Sequence, residues 1–211
     1  MGSPANEANR FENECQHPVS VRSFSIGKYE VTQADWRDIM GSDPPLLASK
    51  GCDQCPVENV SCNDVEDFLK KLNTRYPGKN YRLPTETEWE YAARGGSAGR
   101  DSCFFWSGGN DPNAVAWHYD NSGSETHPVG TKKPNQLGIF DMSGNVWELC
   151  QGLYQAYPCD NKFPKAGRDR VIRGGSAFHN KVDCRVAYRR GFEPAYPVWH
   201  FGFRLVSVSS Q

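Results

Sequence analysis

A chain of 211 residues with 24 basic and 25 acidic side chains, net charge −1, offers no electrostatic reason to bind nucleic acid or an acidic membrane. Its mean hydropathy is −0.70 and its apolar runs are short, which excludes a bilayer-spanning segment. Twenty glycines and fourteen prolines run along the whole chain, and 12% aromatics can supply a core, so the composition predicts a loop-rich folded domain rather than a disordered one.

Residues 1–16 are polar and acidic and read as a flexible N-terminal stub, its opening Met1-Gly2-Ser3-Pro4 a cloning scar or a processed end. From His17 to Val31 apolar residues alternate with polar ones, which predicts strand. Thr32 is a candidate cap for a short helix that carries Trp36, Ile39 and Met40 and stops at Gly41. A loop over 42–56 follows. Ser61 then caps a helix whose Val65, Phe68, Leu69 and Leu72 fall at i, i+3, i+4 and i+7. Thr85 caps a third helix, with Glu88 completing a capping box and Gly95-Gly96 ending the element. Beyond residue 96 helical periodicity disappears; loops and short strands are predicted, the clearest strands at 145–151, 170–177, 184–190 and 202–208. No repeat or linker divides residues 17–211, so one α+β domain is expected.

Eight cysteines are many for a cytosolic chain of this size. An even number favours an oxidising compartment, so the protein is expected to be exported, to the cell surface or periplasm, with a lipoprotein anchor as one option. Contact with a membrane is expected only through a trimmed N-terminal anchor. Cys52-Asp53-Gln54-Cys55 has three readings: half of a zinc site, a redox pair, or disulfide cysteines that pin the 42–56 loop. The histidines, His17, His118, His127, His179 and His200, have no clustered metal-ligand spacing, and no Gly-x-Ser-x-Gly is present.

Residues 178–201 contain six aromatics in 24 positions, twice the chain-wide fraction. Gly191, Pro194 and Pro197 break the run into loops, with Arg185, Arg189 and Arg190 interspersed. Aromatic and arginine side chains on loops are the usual anchors of recognition surfaces. Phe201, Phe203 and Tyr188 are instead expected to contribute to the core.

Several strings occur in an order that resembles the formylglycine-generating-enzyme (sulfatase-modifying factor) family. They are Ile26 to Thr32 (IGKYEVT), Pro56 to Ser61 (PVENVS), Tyr81 to Gly96 (YRLPTETEWEYAARGG), Pro128-Val129-Gly130, Leu137 to Glu148 (LGIFDMSGNVWE), Arg173-Gly174-Gly175-Ser176 and Gly202-Phe203-Arg204. The resemblance implies a variant of the C-type-lectin-like fold, in which N- and C-terminal strands pair at the base below long loops. Oxidising members carry a cysteine pair shortly after the Arg-Gly-Gly-Ser string. Here that stretch holds only Cys184, which argues against an enzyme; the catalytic alternative is a formylglycine-generating oxidase. A non-catalytic structural accessory domain of an exported system is a further alternative. The resemblance also implies one structural calcium ion, held by the Asp141 and Glu148 side chains and the Gly144 and Val146 carbonyls. No catalytic cofactor is expected.

Cys150 and Cys184 stand on predicted strands beside family blocks and are read as a disulfide pair, a bridge worth about 3–4 kcal/mol, although two buried free thiols fit the same places. The C-terminal strings are also similar to the variable proteins of diversity-generating retroelements, which display a diversified C-terminal binding site on this fold. The similarity implies a variable segment at 177–200. Its ligand-binding candidates are Ala177, Phe178, His179, Val182, Asp183, Tyr188, Arg190, Gly191, Phe192, Glu193, Tyr196, Val198, Trp199 and His200, on a monomer whose partner is another protein or a surface-exposed ligand.

Overall fold

The computed structural model describes residues 1–158, 167–193 and 199–208. In chain order the helices are α1 (Gln33–Met40), α2 (Cys62–Arg75), α3 (Glu86–Ala93) and α4 (Pro112–Val115). The strands are β1 (Ser25–Ile26), β2 (Trp147–Leu153), β3 (Arg170–Arg173), β4 (Arg189–Phe192), β5 (Phe201–Gly202) and β6 (Val206–Ser207).

The three predicted helices form because their ends are specified locally. Thr32, Ser61 and Thr85 each accept a hydrogen bond from the backbone three residues on, and Asp35, Asp64 and Glu88 return it, so three capping boxes satisfy otherwise orphaned N–H groups. Gly41, at φ 89°, closes α1 in the left-handed conformation. Val65, Phe68 and Leu72 line the buried face of α2. Phe68 stacks on Trp36 at 5.2 Å and meets Phe203 edge-on at 5.3 Å, which joins α1, α2 and the C-terminal strings in one core. Burying side chains of this size contributes roughly 1.5–3 kcal/mol each. A second cluster gathers Trp89, Ala92, Ile139, Met142, Val171 and Val186 around α3.

Among the described residues the strands form two sheets. β1 pairs antiparallel with β6, the base pairing of terminal strands that the resemblance implies. The other sheet runs in the order β4-β3-β2-β5, with β2 and β5 parallel and the other pairs antiparallel. Strand is confined to Ser25–Ile26 within the expected 17–31 stretch. The expected 170–177 strand stops at Arg173, because Gly174 and Gly175 take φ values of 93° and 72° and turn the chain out of the sheet. Any side chain at Gly175 would meet Cys184 Sγ at 2.6 Å, so that turn lies directly against the short 3-10 helix Lys181–Cys184. Cys184 is therefore on a helical turn rather than a strand.

One cysteine expectation is met and one changes. Cys52 and Cys55 are joined by a disulfide, so the loop-pinning reading of that motif stands. Cys150 and Cys184 are both free and buried, and the expected bridge between them is absent. Each thiol faces its own surroundings: Cys150 lies near the Glu148 carbonyl on β2, whereas Cys184 lies near the carbonyls of Ser176 and Asn180.

The N-terminal residues, expected as a flexible stub, are folded onto the domain. Gly2 donates its N–H to Glu90 at 2.8 Å, Ser3 bridges to Cys15, and Cys15 is itself disulfide-bonded. Glu14 is completely buried and holds Arg185 through two bonds of 2.6 and 3.0 Å. The acidic composition that suggested solvent exposure instead supplies counter-charges to buried arginines.

Candidate functional site

The C-terminal segment leaves β3 at the Gly174-Gly175 turn and returns through β4 to β5. Its first residue is an anchor: Ala177 is fully buried, donates its N–H to Asn145 O at 2.9 Å and accepts from Ser122 Oγ at 2.6 Å. That placement removes Ala177 from the residues a ligand can reach. Phe192 also turns inward and meets Phe201 edge-on at 4.8 Å. Gly191 packs against Tyr154, whose ring lies 2.9 Å from where a side chain would begin. Tyr196 and Val198 lie outside the described residues.

Of the remaining candidates, Phe178, His179, Asp183, Tyr188, Trp199 and His200 come together. Phe178 and His200 stack with ring centroids 3.4 Å apart and planes 14° from parallel. Trp199, 71% exposed, lies 6.3 Å from His200. His179 meets the edge of Trp147 at 5.3 Å, and Trp147 in turn lies 5.9 Å from Tyr188. Val182 and Asp183 are half-buried on the 3-10 turn, while Arg190 and Glu193 are exposed. The tyrosine hydroxyl of Tyr188 bonds Asp183, and burial first, then that carboxylate, push its pKa up to about 12.

Three residues outside the expected segment adjoin it: the buried Trp147 and Asn59 hold it from beneath, and the exposed Tyr119 borders it. Trp147 donates its indole N–H to His179 Nδ1 at 3.2 Å and its backbone N–H to His200 O at 2.9 Å. Asn59 accepts from the His200 N–H at 2.6 Å, which helps hold His200 at its positive φ of 71°. Tyr119, 58% exposed, donates its backbone N–H to the His179 carbonyl at 2.9 Å. Trp147 and Asn59 stand in family strings that read as scaffold, and Tyr119 is in a loop without any motif.

The electrostatic character of the surface is neutral at its centre. Burial and the neighbouring His179 lower the His200 pKa to about 4, and burial lowers that of His179. In an unfolded chain His200 would take up a proton near its ordinary value of about 6.5. Between those two values the unfolded state binds the extra proton, so His200 contributes stability that is present above about pH 6.5 and is lost as pH falls towards 4. Urea denaturation followed from pH 7 to 4 is expected to show this loss, and His200→Asn, which tolerates the positive φ, is expected to flatten it. A histidine proton titration near 6.5 for His200 would contradict the half-buried, stacked geometry.

No thiol chemistry is poised here. Cys184 is fully buried, and burial with nearby Asp183 pushes its pKa far above the ordinary thiol range. The calcium set does not fit either. Both oxygens of Glu148 accept from the Arg204 guanidinium at 2.6 Å, and Trp89 Nε1 donates to one of them at 2.7 Å. Asp141 accepts from the Gly130 N–H at 2.7 Å. With both Glu148 oxygens engaged by Arg204, the implied set is reduced to the Asp141 carboxylate and the carbonyls of Gly144 and Val146, and the second charge that would attract a divalent cation is already neutralised. Gly144 has a structural reason of its own, since any side chain there would meet the Trp117 carbonyl oxygen at 2.1 Å. Among the described residues no cluster of three or more His, Cys, Asp or Glu is arranged to hold a metal, and no helix is long and apolar enough to cross a membrane.

Comparison with known proteins adds a lineage to this geometry. The family model described as the sulfatase-modifying factor enzyme 1-like domain matches residues 1–208. Chaperone protein LppX of Paenibacillus barcinonensis is 38% identical over 181 residues, covering 63% of this chain and 63% of that protein. The formylglycine-generating enzyme of Streptomyces coelicolor is 33% identical over 203 residues, covering 84% of this chain and 59% of the enzyme. This chain thus spans less than two thirds of the length of either relative. The solved structure of Treponema denticola variable protein 1 superposes with a TM-score of 0.82 at 29% identity, covering 98% of this chain and 92% of that one. The loop-rich α+β architecture is the C-type-lectin-like fold that the sequence resemblance implies. On the family-model match over residues 1–208, the chain belongs to the formylglycine-generating-enzyme (sulfatase-modifying factor) family.

Proposed function

We propose that this protein is a non-catalytic binding protein whose ligand site is formed by the surface between Phe178 and His200, and that its partner is another protein. The observation that carries the reading is the exposed Trp199 indole beside the Phe178–His200 stack. An indole left in water forgoes a large apolar burial, and tryptophan and tyrosine dominate the energetics of interfaces. Likeness to a variable protein along nearly the whole chain supports the same reading, and so does the burial of Cys184. Diversification of residues 177–200 by a retroelement, export, and display on the cell surface belong to this proposal. Calcium does not, because Arg204 neutralises Glu148.

Simultaneous alanine substitution of Tyr196, Trp199 and His200 is expected to abolish capture of a partner from the surface-protein fraction of the source organism. Trp199→Ala alone is expected to shift stability by no more than about 0.5 kcal/mol, as for other exposed side chains. A large drop in melting temperature in Trp199→Ala alone would make Trp199 a core residue instead. A near-copy of the 3′ coding repeat beside a reverse-transcriptase gene is the expected genomic sign of diversification, and its absence would sink that part.

A catalytic reading is favoured by one observation, the 33% identity to a formylglycine-generating enzyme. Mass spectrometry of a cysteine-containing sulfatase peptide incubated with the protein separates the two. Conversion of that cysteine to formylglycine would overturn the binding reading.

A further inference from the structure

His179 is the polar member of the surface whose hydrogen-bonding role its surroundings dictate. Two groups reach its Nδ1: Trp147 Nε1 at 3.2 Å and Ser176 Oγ at 2.7 Å. An indole N–H can only donate. The Ser176 hydroxyl oxygen meanwhile accepts from the Phe178 N–H at 3.3 Å, which leaves its own proton free to point at the imidazole. Trp147 therefore requires a lone pair on Nδ1, and the Ser176 hydroxyl, which can turn its proton either way, donates to the same nitrogen. A proton placed there would face the indole hydrogen head-on, so neither the Nδ1–H tautomer nor the imidazolium fits this arrangement.

We propose that Trp147 and Ser176 are positioning residues that lock His179 as the neutral imidazole with its proton on Nε2, and that the site presents this N–H to a hydrogen-bond acceptor on the partner. The second clause rests on the binding reading above; the lock stands independently of it. Trp147 is fully buried at the start of β2, and Ser176 is fully buried at the end of the Gly174-Gly175 turn, so both belong to the rigid frame. Among the described residues no partner is recorded for His179 Nε2, and the side chain is half-exposed beside Tyr119 and the Phe178–His200 stack. The charged groups around the ring are Asp183, which favours protonation, and Arg190, which opposes it. The partner is accordingly expected to bring a carbonyl, carboxamide or hydroxyl oxygen rather than a second donor.

The test uses the full chain labelled with ¹⁵N-histidine, read by long-range ¹H–¹⁵N correlation at pH 7, with His179→Gln assigning the signal. A pyrrole-type Nε2 and a pyridine-type Nδ1 are expected. An Nδ1–H pattern, or the imidazolium pattern, in the unaltered protein overturns the lock whether or not any variant folds. Trp147→Phe keeps an aromatic ring but removes the donor; it is expected to raise the His179 titration midpoint by about one pH unit, the equivalent of one ordinary hydrogen bond. Ser176→Ala is expected to move it in the same direction, whereas the midpoint of His118 stays fixed. An unmoved His179 midpoint in both folded variants also overturns the lock. If the lock holds but His179→Gln captures partner as well as the unaltered protein does, the donor role fails. If the alanine triple variant also captures normally, the binding reading itself fails.

Discussion

Replacing Arg204 with methionine is expected to destabilise the protein by about 3–5 kcal/mol, the range for breaking a buried ion pair from one side. Arg204 is fully buried, binds both oxygens of Glu148, and donates to the Phe140 and Gly27 carbonyls at 3.0 and 3.1 Å. Glu30 and Asp141 are buried in the same region, so three carboxylates surround one guanidinium. Burial and mutual repulsion already hold the Glu30 carboxyl well above the usual range, and burial raises Asp141 to about 6. Without Arg204, Glu148 would have to be protonated or remain charged without a partner. Urea denaturation of Arg204→Met against the double variant Arg204→Met/Glu148→Gln checks this. The double variant is expected to recover much of the loss, because it removes the unpaired charge. A loss below about 1 kcal/mol in the single variant would place the pair among exposed bridges of small worth.

The second large effect concerns residues 1–16. Glu14→Gln is expected to cost about 3 kcal/mol, because Arg185 is buried against Glu14 and Glu7, and deletion of residues 1–16, which also removes the Cys15 disulfide, is expected to cost more. Arg185 lies between the buried Cys184 and Val186, inside the proposed binding segment. Phe11 also meets Tyr188 edge-on at 5.0 Å. The damage is therefore expected to be local as well as global: amide exchange over residues 181–190 should quicken more than in α2. If the deletion leaves both melting temperature and exchange unchanged, the N-terminal residues are accessory after all.

What the sequence made legible was what short stretches of chain decide. Each capping box spans four residues, and α2 announces its buried face through Val65, Phe68 and Leu72. Helix α4 is too short for periodicity, although Asp111 as cap with Pro112 behind it was a readable signal. Strands of two to four residues, such as β1 and β6, are defined by partners about 180 positions away and leave little local trace. The N-terminal acids misled for the same reason, since Glu14 acquires its meaning only from Arg185. Within the proposed binding segment, aromatic enrichment marked where the exposed Trp199 and the Phe178–His200 stack lie. It did not separate Trp199, which faces solvent, from Phe192, which faces the core, because that division depends on where β5 lies. Trp147 was concealed by its place in a scaffold string, although its indole reaches into the site.

Trp147 has a practical use for anyone re-engineering this surface. Its side chain clasps the segment near one end, at His179, and its main chain clasps it near the other, at His200. Exposed described residues between them, such as Lys181, Arg190 and Glu193, then sit on an insert held at both ends, while Cys184 to Ala187 and β4 stay in the core and sheet. A library built on this scaffold can vary the exposed positions of the insert freely, provided that Trp147, Ser176 and Asn59 are left untouched and Arg185 keeps its acidic partners.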